Sequence, residues 1–365
     1  MKIKRNILLN PGPATTSETV KLAQIVPDIC PREKEFGILL RKISNDLTSF
    51  CGDINKFSTV LFGGSGTASV ESILTSVIPK NGMLLIINNG AYGKRICEIA
   101  LRYKIRFIEF KSSKISQINF KKLEDLIKHN NNISHVAIVH NETTTGLLND
   151  INNVGLIVKK YKKEMIVDAM SSFGAIPIDM VKSNISYLAA SSNKNIQGMA
   201  GISFVIAKTI SLKGLKNIRQ LSYYLSLREQ FEYFESNNQT RFTPPVQTVY
   251  ALNQAIEELK KETIEKRYKR YIKSWEELIK GLKKLGLQYI VDEQNHSKII
   301  TAIKLPKNLI FNDLHDYLLT KKITIYPGKI KEHNTFRVAN IGDINHSDIK
   351  TFLEYLDEYL NKIKK

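Results

Sequence analysis

Cysteine is nearly missing from this sequence: Cys30, Cys51 and Cys97 are the whole complement of a 365-residue chain. They show no CxxC spacing and no His/Cys cluster at zinc-ligand distance, so neither a disulfide framework nor a metal site is expected, and reduced thiols in a cytoplasm are. Long apolar runs are missing too. None approaches the roughly 20 residues that cross a bilayer. The opening Met1-Lys2-Ile3-Lys4-Arg5-Asn6 leads directly into Leu8-Leu9-Asn10-Pro11-Gly12-Pro13, with no room for an apolar signal region. A soluble, cytoplasmic protein without a membrane partner is therefore expected. Acidic residues are scarce, 35 against 54 Lys and Arg, for a net charge of +19. That excess raises a nucleic-acid partner. Yet the lysines come as scattered doublets, Lys121-Lys122, Lys159-Lys160 and Lys162-Lys163, without a basic tract or an aromatic-rich RNA-binding signature. They read as a solvated surface, and no nucleic-acid partner is expected.

What is present is a globular composition, 42% hydrophobic, in a chain long enough for about two domains. From about residue 58, short apolar runs alternate with amphipathic stretches, the pattern of β-α units on a mainly parallel, buried sheet. Expected strands are Ser58–Phe62, Met83–Asn88, Ile105–Phe110, His135–Val139, Met165–Asp168, Tyr187–Ala190 and Ile202–Ala207, with helices beginning near Thr67, Tyr92, Phe120 and Asn152. Val246 to about Leu285 reads as long helical structure whose apolar stripe includes Trp275. The alternation from Ile299 to Leu360 suggests a small α+β domain.

Ligands of open parallel sheets sit beyond the carboxyl ends of the strands, and polar residues gather at three such places. Gly63-Gly64-Ser65-Gly66-Thr67 follows a strand and opens a helix, so its amides, hydroxyls and positive dipole end suit a phosphate. It extends neither to GxxxxGK[ST] nor to GxGxxG, so an NTPase loop or a nicotinamide site is not indicated, and a plain connection stays open. Asp168 ends the run Met165-Ile166-Val167, where a carboxylate ordinarily caps the next helix. Lys194 follows the next apolar strand, where a lysine is ordinarily a surface residue. Together, a phosphate cradle, a strand-end carboxylate and a lysine are the three anchors that pyridoxal phosphate (PLP) requires. The lysine forms a Schiff base, the carboxylate keeps the pyridine nitrogen protonated, and the helix end takes the phosphate.

The chain resembles the class V aminotransferases of PLP fold type I. The resemblance runs nearly end to end: Leu9-Asn10-Pro11-Gly12-Pro13, Asn88-Asn89-Gly90-Ala91-Tyr92-Gly93, His140-Asn141-Glu142-Thr143-Thr144-Thr145-Gly146, Val167-Asp168-Ala169-Met170-Ser171-Ser172, Ser192-Asn193-Lys194, Arg241-Phe242-Thr243, and Tyr326-Pro327-Gly328-Lys329 before Phe336-Arg337-Val338. It implies a large domain with a mainly parallel seven-stranded sheet and a small C-terminal α+β domain. The divisions are 1–20 for an N-terminal segment at the active site, 21–245 for the PLP-binding domain, 246–285 for connecting helices and 286–365 for the small domain. It also implies residue roles. Lys194 and Asp168 are the catalytic pair; Tyr92 stacks on the ring, and Thr145 reaches its oxygen. Ser65, Gly66, Thr67 and Ser192 hold the phosphate, with Thr243 across a homodimer interface. Arg337 binds the carboxylate of pyruvate or alanine as a guanidinium fork. The expected amino donor carries a phosphonate, for which Arg32, Lys34 and Arg337 itself are candidates. Serine- or alanine-glyoxylate chemistry and phosphonopyruvate/phosphonoalanine exchange are the alternatives. Cysteine desulfuration is disfavoured, because Cys30 lies far upstream and Cys97 falls inside an expected helix. Asn141, Asn195 and Ala200 depart from the family pattern without touching a covalent or charged role.

Overall fold

Residue 3, residues 5–329 and residues 334–363 are described by a computed structural model. Residues 1, 2 and 4 of the expected N-terminal segment, and 330–333 and 364–365 of the expected small domain, lie outside the described residues. Seven apolar runs form one sheet: β1 (Phe57–Gly63), β2 (Met83–Asn88), β3 (Phe107–Lys111), β4 (Ile133–Val139), β5 (Glu164–Asp168), β6 (Tyr187–Ser191) and β7 (Ile202–Lys208). They lie in the order β1-β7-β6-β5-β4-β2-β3. The five strands from β6 to β3 are mutually parallel, and β7 runs antiparallel to both β6 and β1. The inner strands are largely apolar because both faces are covered, whereas the edge strand β3, with Glu109 and Lys111, is only partly buried. Val136, Ile138, Val167 and Leu188 enter one core, while Ala137, Val139, Ile166 and Ala189 enter the other, as the two-residue period of a strand requires.

Helices α1 (Lys34–Ser49), α2 (Gly66–Val77), α3 (Ala91–Arg102), α4 (Phe120–Lys128), α5 (Ile151–Lys160) and α6 (Leu227–Asn237) surround the sheet. The four starts expected between strands fall within a residue of those observed. Ile105 departs from expectation. It reads as strand but closes α3: Lys104 takes φ +54, its amide donates to Leu101, and the Ile105 amide donates to Ala100. That is a Schellman cap with lysine at the left-handed position, and Ile105 packs as its apolar partner. The expected single stretch from Val246 is two helices, α7 (Val246–Glu262) and α8 (Ile264–Lys284). They break at Thr263, whose φ of +69 ends one helix while its side chain caps the next at Lys266.

A second unit has its own core, in which Trp275 and Leu278 of α8 meet Phe336, Val338 and Phe352. Its sheet joins β8 (Ile300–Lys304), β9 (Tyr326–Pro327) and β10 (Thr335–Ala339), all antiparallel, backed by α9 (Phe311–Thr320) and α10 (His346–Lys362). The start of the chain belongs here. Ile7–Leu8 pairs in parallel with Ile323–Thr324, and Leu9 is fully buried in this core. Burying one such leucine contributes about 2–3 kcal/mol. From that anchor Asn10-Pro11-Gly12-Pro13 crosses to the large sheet.

Candidate active site

The carboxyl ends of β4, β5 and β6 are level: Asp168 sits opposite Val139 on one side and Ala189 on the other. Chemistry-bearing residues leave the sheet along this line. Asp168, Lys194, Tyr92, Thr143, Asn141, Met170 and Ser171 line one narrow cleft there. The two residues on which the sequence reading rests are therefore brought together.

Asp168 serves both of its expected roles at once. Its Oδ1 accepts from the Met170 amide at 3.0 Å, a local cap, while Oδ2 has no protein partner among the described residues. Burial raises its carboxyl to about 6, against the pull of the Met170 amide and the charges of Arg95 and Lys194. An isolated carboxylate is poorly stabilised here, and a cationic ring nitrogen would relieve it. Lys194 is held over the cleft by the start of the chain, its Nζ donating to the Pro11 carbonyl at 2.5 Å. A Cβ on Gly12 would lie 2.4 Å from that Nζ, and Gly12 has φ +132, so only glycine suits the crossing. Burial lowers the Lys194 ammonium to about 8, helped by the Arg337 charge and opposed by Asp168. A substantial fraction of the amine is thus neutral near pH 8 and able to attack a carbonyl.

At the glycine turn, Ser65 occupies the N-cap of α2 without using its side chain to cap it. The first-turn amides of Gly66 and Thr67 have no partner within the helix. Thr67 Oγ1 accepts from Arg95 at 3.3 Å, and the Arg95 guanidinium lies 4.9 Å from the Tyr92 ring centre. An open helix end, the Ser65 hydroxyl that does not cap it, and a guanidinium that meets no carboxylate among the described residues form a cradle for a phosphate. Arg95 is absent from the sequence reading; its place one turn after Tyr92 on α3 was the available signal.

Other expected residues sit differently. The Thr145 hydroxyl stays within its own turn, donating to the Glu142 carbonyl and accepting from the Leu147 amide. Thr143, not Thr145, lines the cleft. Ser192 turns its hydroxyl to the carbonyls of Met199 and Ile202. Thr243 is exposed, on a loop whose Pro245 packs beside Gly63. Arg32 is tied to the loop at 240–241 by bonds to the carbonyls of Thr240 and Arg241, and does not reach the cleft of its own chain. Arg337 is 1% exposed, with Nε on the Pro327 carbonyl at 2.9 Å and Nη1 on the Thr143 carbonyl at 3.2 Å. Its remaining edge faces the Tyr92 side chain, which accepts a hydrogen bond from it.

Glu142 belongs to a segment that carries the family resemblance but has no expected role of its own, and it is fully buried. Its carboxylate accepts from the Thr144 amide at 3.1 Å, the Thr144 hydroxyl at 2.5 Å and the Tyr92 amide at 3.3 Å. A Cβ on Gly90 would meet it at 2.2 Å, so glycine at the start of α3 makes room for the acid. One buried carboxylate thus fixes both the aromatic wall and the threonine loop of the cleft. Burial raises its pKa, which these hydrogen bonds oppose.

The sequence model of the class V aminotransferase family matches residues 30–343. The chain is a class V aminotransferase. It is 40% identical over 362 residues to the 2-aminoethylphosphonate–pyruvate transaminase of Bacillus cytotoxicus, covering 98% of this chain and 99% of that one. It is also 40% identical over 361 residues to the bifunctional phosphonoacetaldehyde hydrolase/aminoethylphosphonate transaminase of Clostridioides difficile. There the match covers 98% of this chain but 56% of the relative, so this chain spans about half the length of that protein. Among solved structures, the alanine–glyoxylate aminotransferase of Nostoc sp. superposes with a TM-score of 0.92 at 21% identity, covering 99% of this chain and 96% of that one. The cysteine desulfurase of Thermococcus onnurineus reaches 0.79 at 14%, covering 98% and 95%. Structural likeness at such identity establishes the fold, PLP fold type I, and leaves the substrate open.

PLP is the cofactor of this family. The residues present fit it: a buried carboxylate whose second oxygen has no hydrogen-bond partner among the described residues, a depressed amine in the same cleft, and a helix end that no side chain caps, beside an arginine.

Proposed function

We propose that this aminotransferase moves the amine of 2-aminoethylphosphonate to pyruvate, giving phosphonoacetaldehyde and L-alanine. The observation that carries the reading is 40% identity to a transaminase of that name across almost the full length of both chains. The buried guanidinium of Arg337, held by the Pro327 and Thr143 carbonyls beside the cleft, supports a small anionic substrate at the same place.

PLP supplies an aldehyde that exchanges amines and a ring that accepts electrons. Lys194 would hold the cofactor covalently, and its Nζ, when free, would be the base that carries the proton transamination moves. Asp168 would keep the ring nitrogen positive, and Tyr92 would supply an apolar wall for the ring. Ser65, Gly66 and Thr67, assisted by Arg95, hold the phosphate. Arg337 orients each substrate by its anionic end, so one site serves both in turn. We read the enzyme as a cytoplasmic homodimer in which Thr243 of each protomer reaches the partner's phosphate site. Formation of alanine from 2-aminoethylphosphonate and pyruvate tests the reading. Amine transfer from serine or alanine to glyoxylate, with none from the phosphonate, would replace it.

A further inference from the structure

Beside the cleft lies a hollow of about 790 Å³. The two share a wall, because Tyr92 and Thr143 line the cleft while their chain neighbours Ala91 and Thr144 line the hollow. Lys94, Lys111, Lys114 and Lys329 line this hollow, and among the described residues that line it Glu109 supplies the one carboxylate. Glu109 is already engaged, accepting from the Asn88 side-chain amide at 2.6 Å and lying 3.9 Å from Lys111 Nζ. Lys94 pairs with Glu98 at 3.6 Å. Lys329 differs: it is exposed and pairs with no carboxylate among the described residues. It also follows, by two residues, the Pro327 whose carbonyl holds Arg337 Nε. One short stretch thus fixes the arginine at the cleft and places an ammonium at its mouth.

The two substrates differ at that point. A carboxylate is planar, has two oxygens and one charge, and is matched by one guanidinium edge. A phosphonate is tetrahedral, with a third oxygen and a second charge that the edge of Arg337 cannot reach. Resting on the function proposed above, we infer that Lys329 is the specificity-determining residue for the phosphonate, taking the charge and oxygen that Arg337 leaves unmet. Besides burial, the charges of Arg337 and Lys329 both push the Lys194 amine toward its neutral form, which places both cations within electrostatic reach of one centre.

The test uses holoenzyme carrying Lys329→Gln, with the two half-reactions assayed separately. The KM for 2-aminoethylphosphonate should rise about tenfold while that for pyruvate moves less than about twofold, and Lys329→Arg should recover most of the loss. In parallel, methylphosphonate and acetate serve as competitive inhibitors of transfer from alanine. Lys329→Gln should weaken methylphosphonate about tenfold and leave acetate unchanged. Equal shifts for both anions, or no shift, would overturn the proposal. So would the same discrimination in Lys121→Gln, on the exposed face of α4, since that would be a general field and not a subsite. The inhibitor arm separates the two hypotheses. Discrimination by Lys329 with no turnover of 2-aminoethylphosphonate overturns the function alone, and turnover without discrimination overturns the subsite alone.

Discussion

Asp168 and Lys194 stand at the end of β5 and just past the end of β6, whereas Arg337, Thr143 and Lys329 come from the small sheet and from loops. Asp168 is fixed by ladders of backbone hydrogen bonds in a strand buried on both faces, and Lys194 follows closely on the end of the next such strand. Arg337 also stands in a strand, but its guanidinium is aimed by the Pro327 and Thr143 carbonyls, and the threonine loop is set by one buried acid, Glu142. The difference separates tasks. Reaction chemistry needs a lysine and a carboxylate held at fixed spacing, and a stiff sheet supplies that. Choice of substrate needs adjustable anion contacts, which loops supply.

If that division holds, changes to the floor should abolish reaction and changes to the mouth should sort substrates. Lys194→Ala should lower turnover by at least about a thousandfold and remove the visible cofactor absorption. An active, coloured variant would break the comparison outright. Asp168→Asn should cost about a hundredfold in turnover yet stabilise the cofactor-free chain. Burial lifts the Asp168 pKa from 3.8 to about 6, so between those values the folded chain keeps a proton that the unfolded chain has released. Stability falls as pH rises through that window, and removing the charge should return up to about 3 kcal/mol at neutral pH. Denaturation of the two apo proteins at pH 5 and pH 8 measures it, and equal midpoints at pH 8 would contradict the burial argument.

Glu142→Gln keeps the shape but weakens the charge-assisted bonds to Thr144 and Tyr92. It should raise the KM for pyruvate about threefold to tenfold with a smaller change in kcat. A loss confined to kcat would move Glu142 from the mouth to the floor. The smallest expected effect is a pH profile. Lys194 is lowered from 10.5 to about 8, so capture of PLP by apo enzyme should speed up as pH rises through about 8 and then level off. A profile still climbing at pH 10 would show that the amine is not depressed.

The floor was also the legible part. Apolar runs ended at Asp168 and just before Lys194, and a strand end is where a sheet presents its ligands, so residue type and position sufficed. The mouth was hidden for physical reasons. Glu142 sits among polar neighbours in a segment that reads as a turn, and its burial arises only when Gly90 of α3 packs over it. Thr145 and Ser192 carry hydroxyls that suit a cofactor, but nearby backbone groups offer them partners that spacing does not reveal. Along the fold, runs of β-branched residues located the strands, while single left-handed residues escaped notice: Lys104 takes Ile105 out of a strand, and Thr263 divides a continuous apolar stripe into two helices. Helices α1 and α6, outside the alternation, carried no flanking strand to announce them.

Pairing of Ile7–Leu8 with Ile323–Thr324 also has a consequence for biosynthesis. A ribosome extends the chain at about 5–20 residues per second. The Asn10-Pro11-Gly12-Pro13 segment that sits over Lys194 must therefore wait many seconds for its docking strand, which is made only after the whole central sheet. The sheet can assemble meanwhile, but the pocket stays roofless until Ile323–Thr324 has been made.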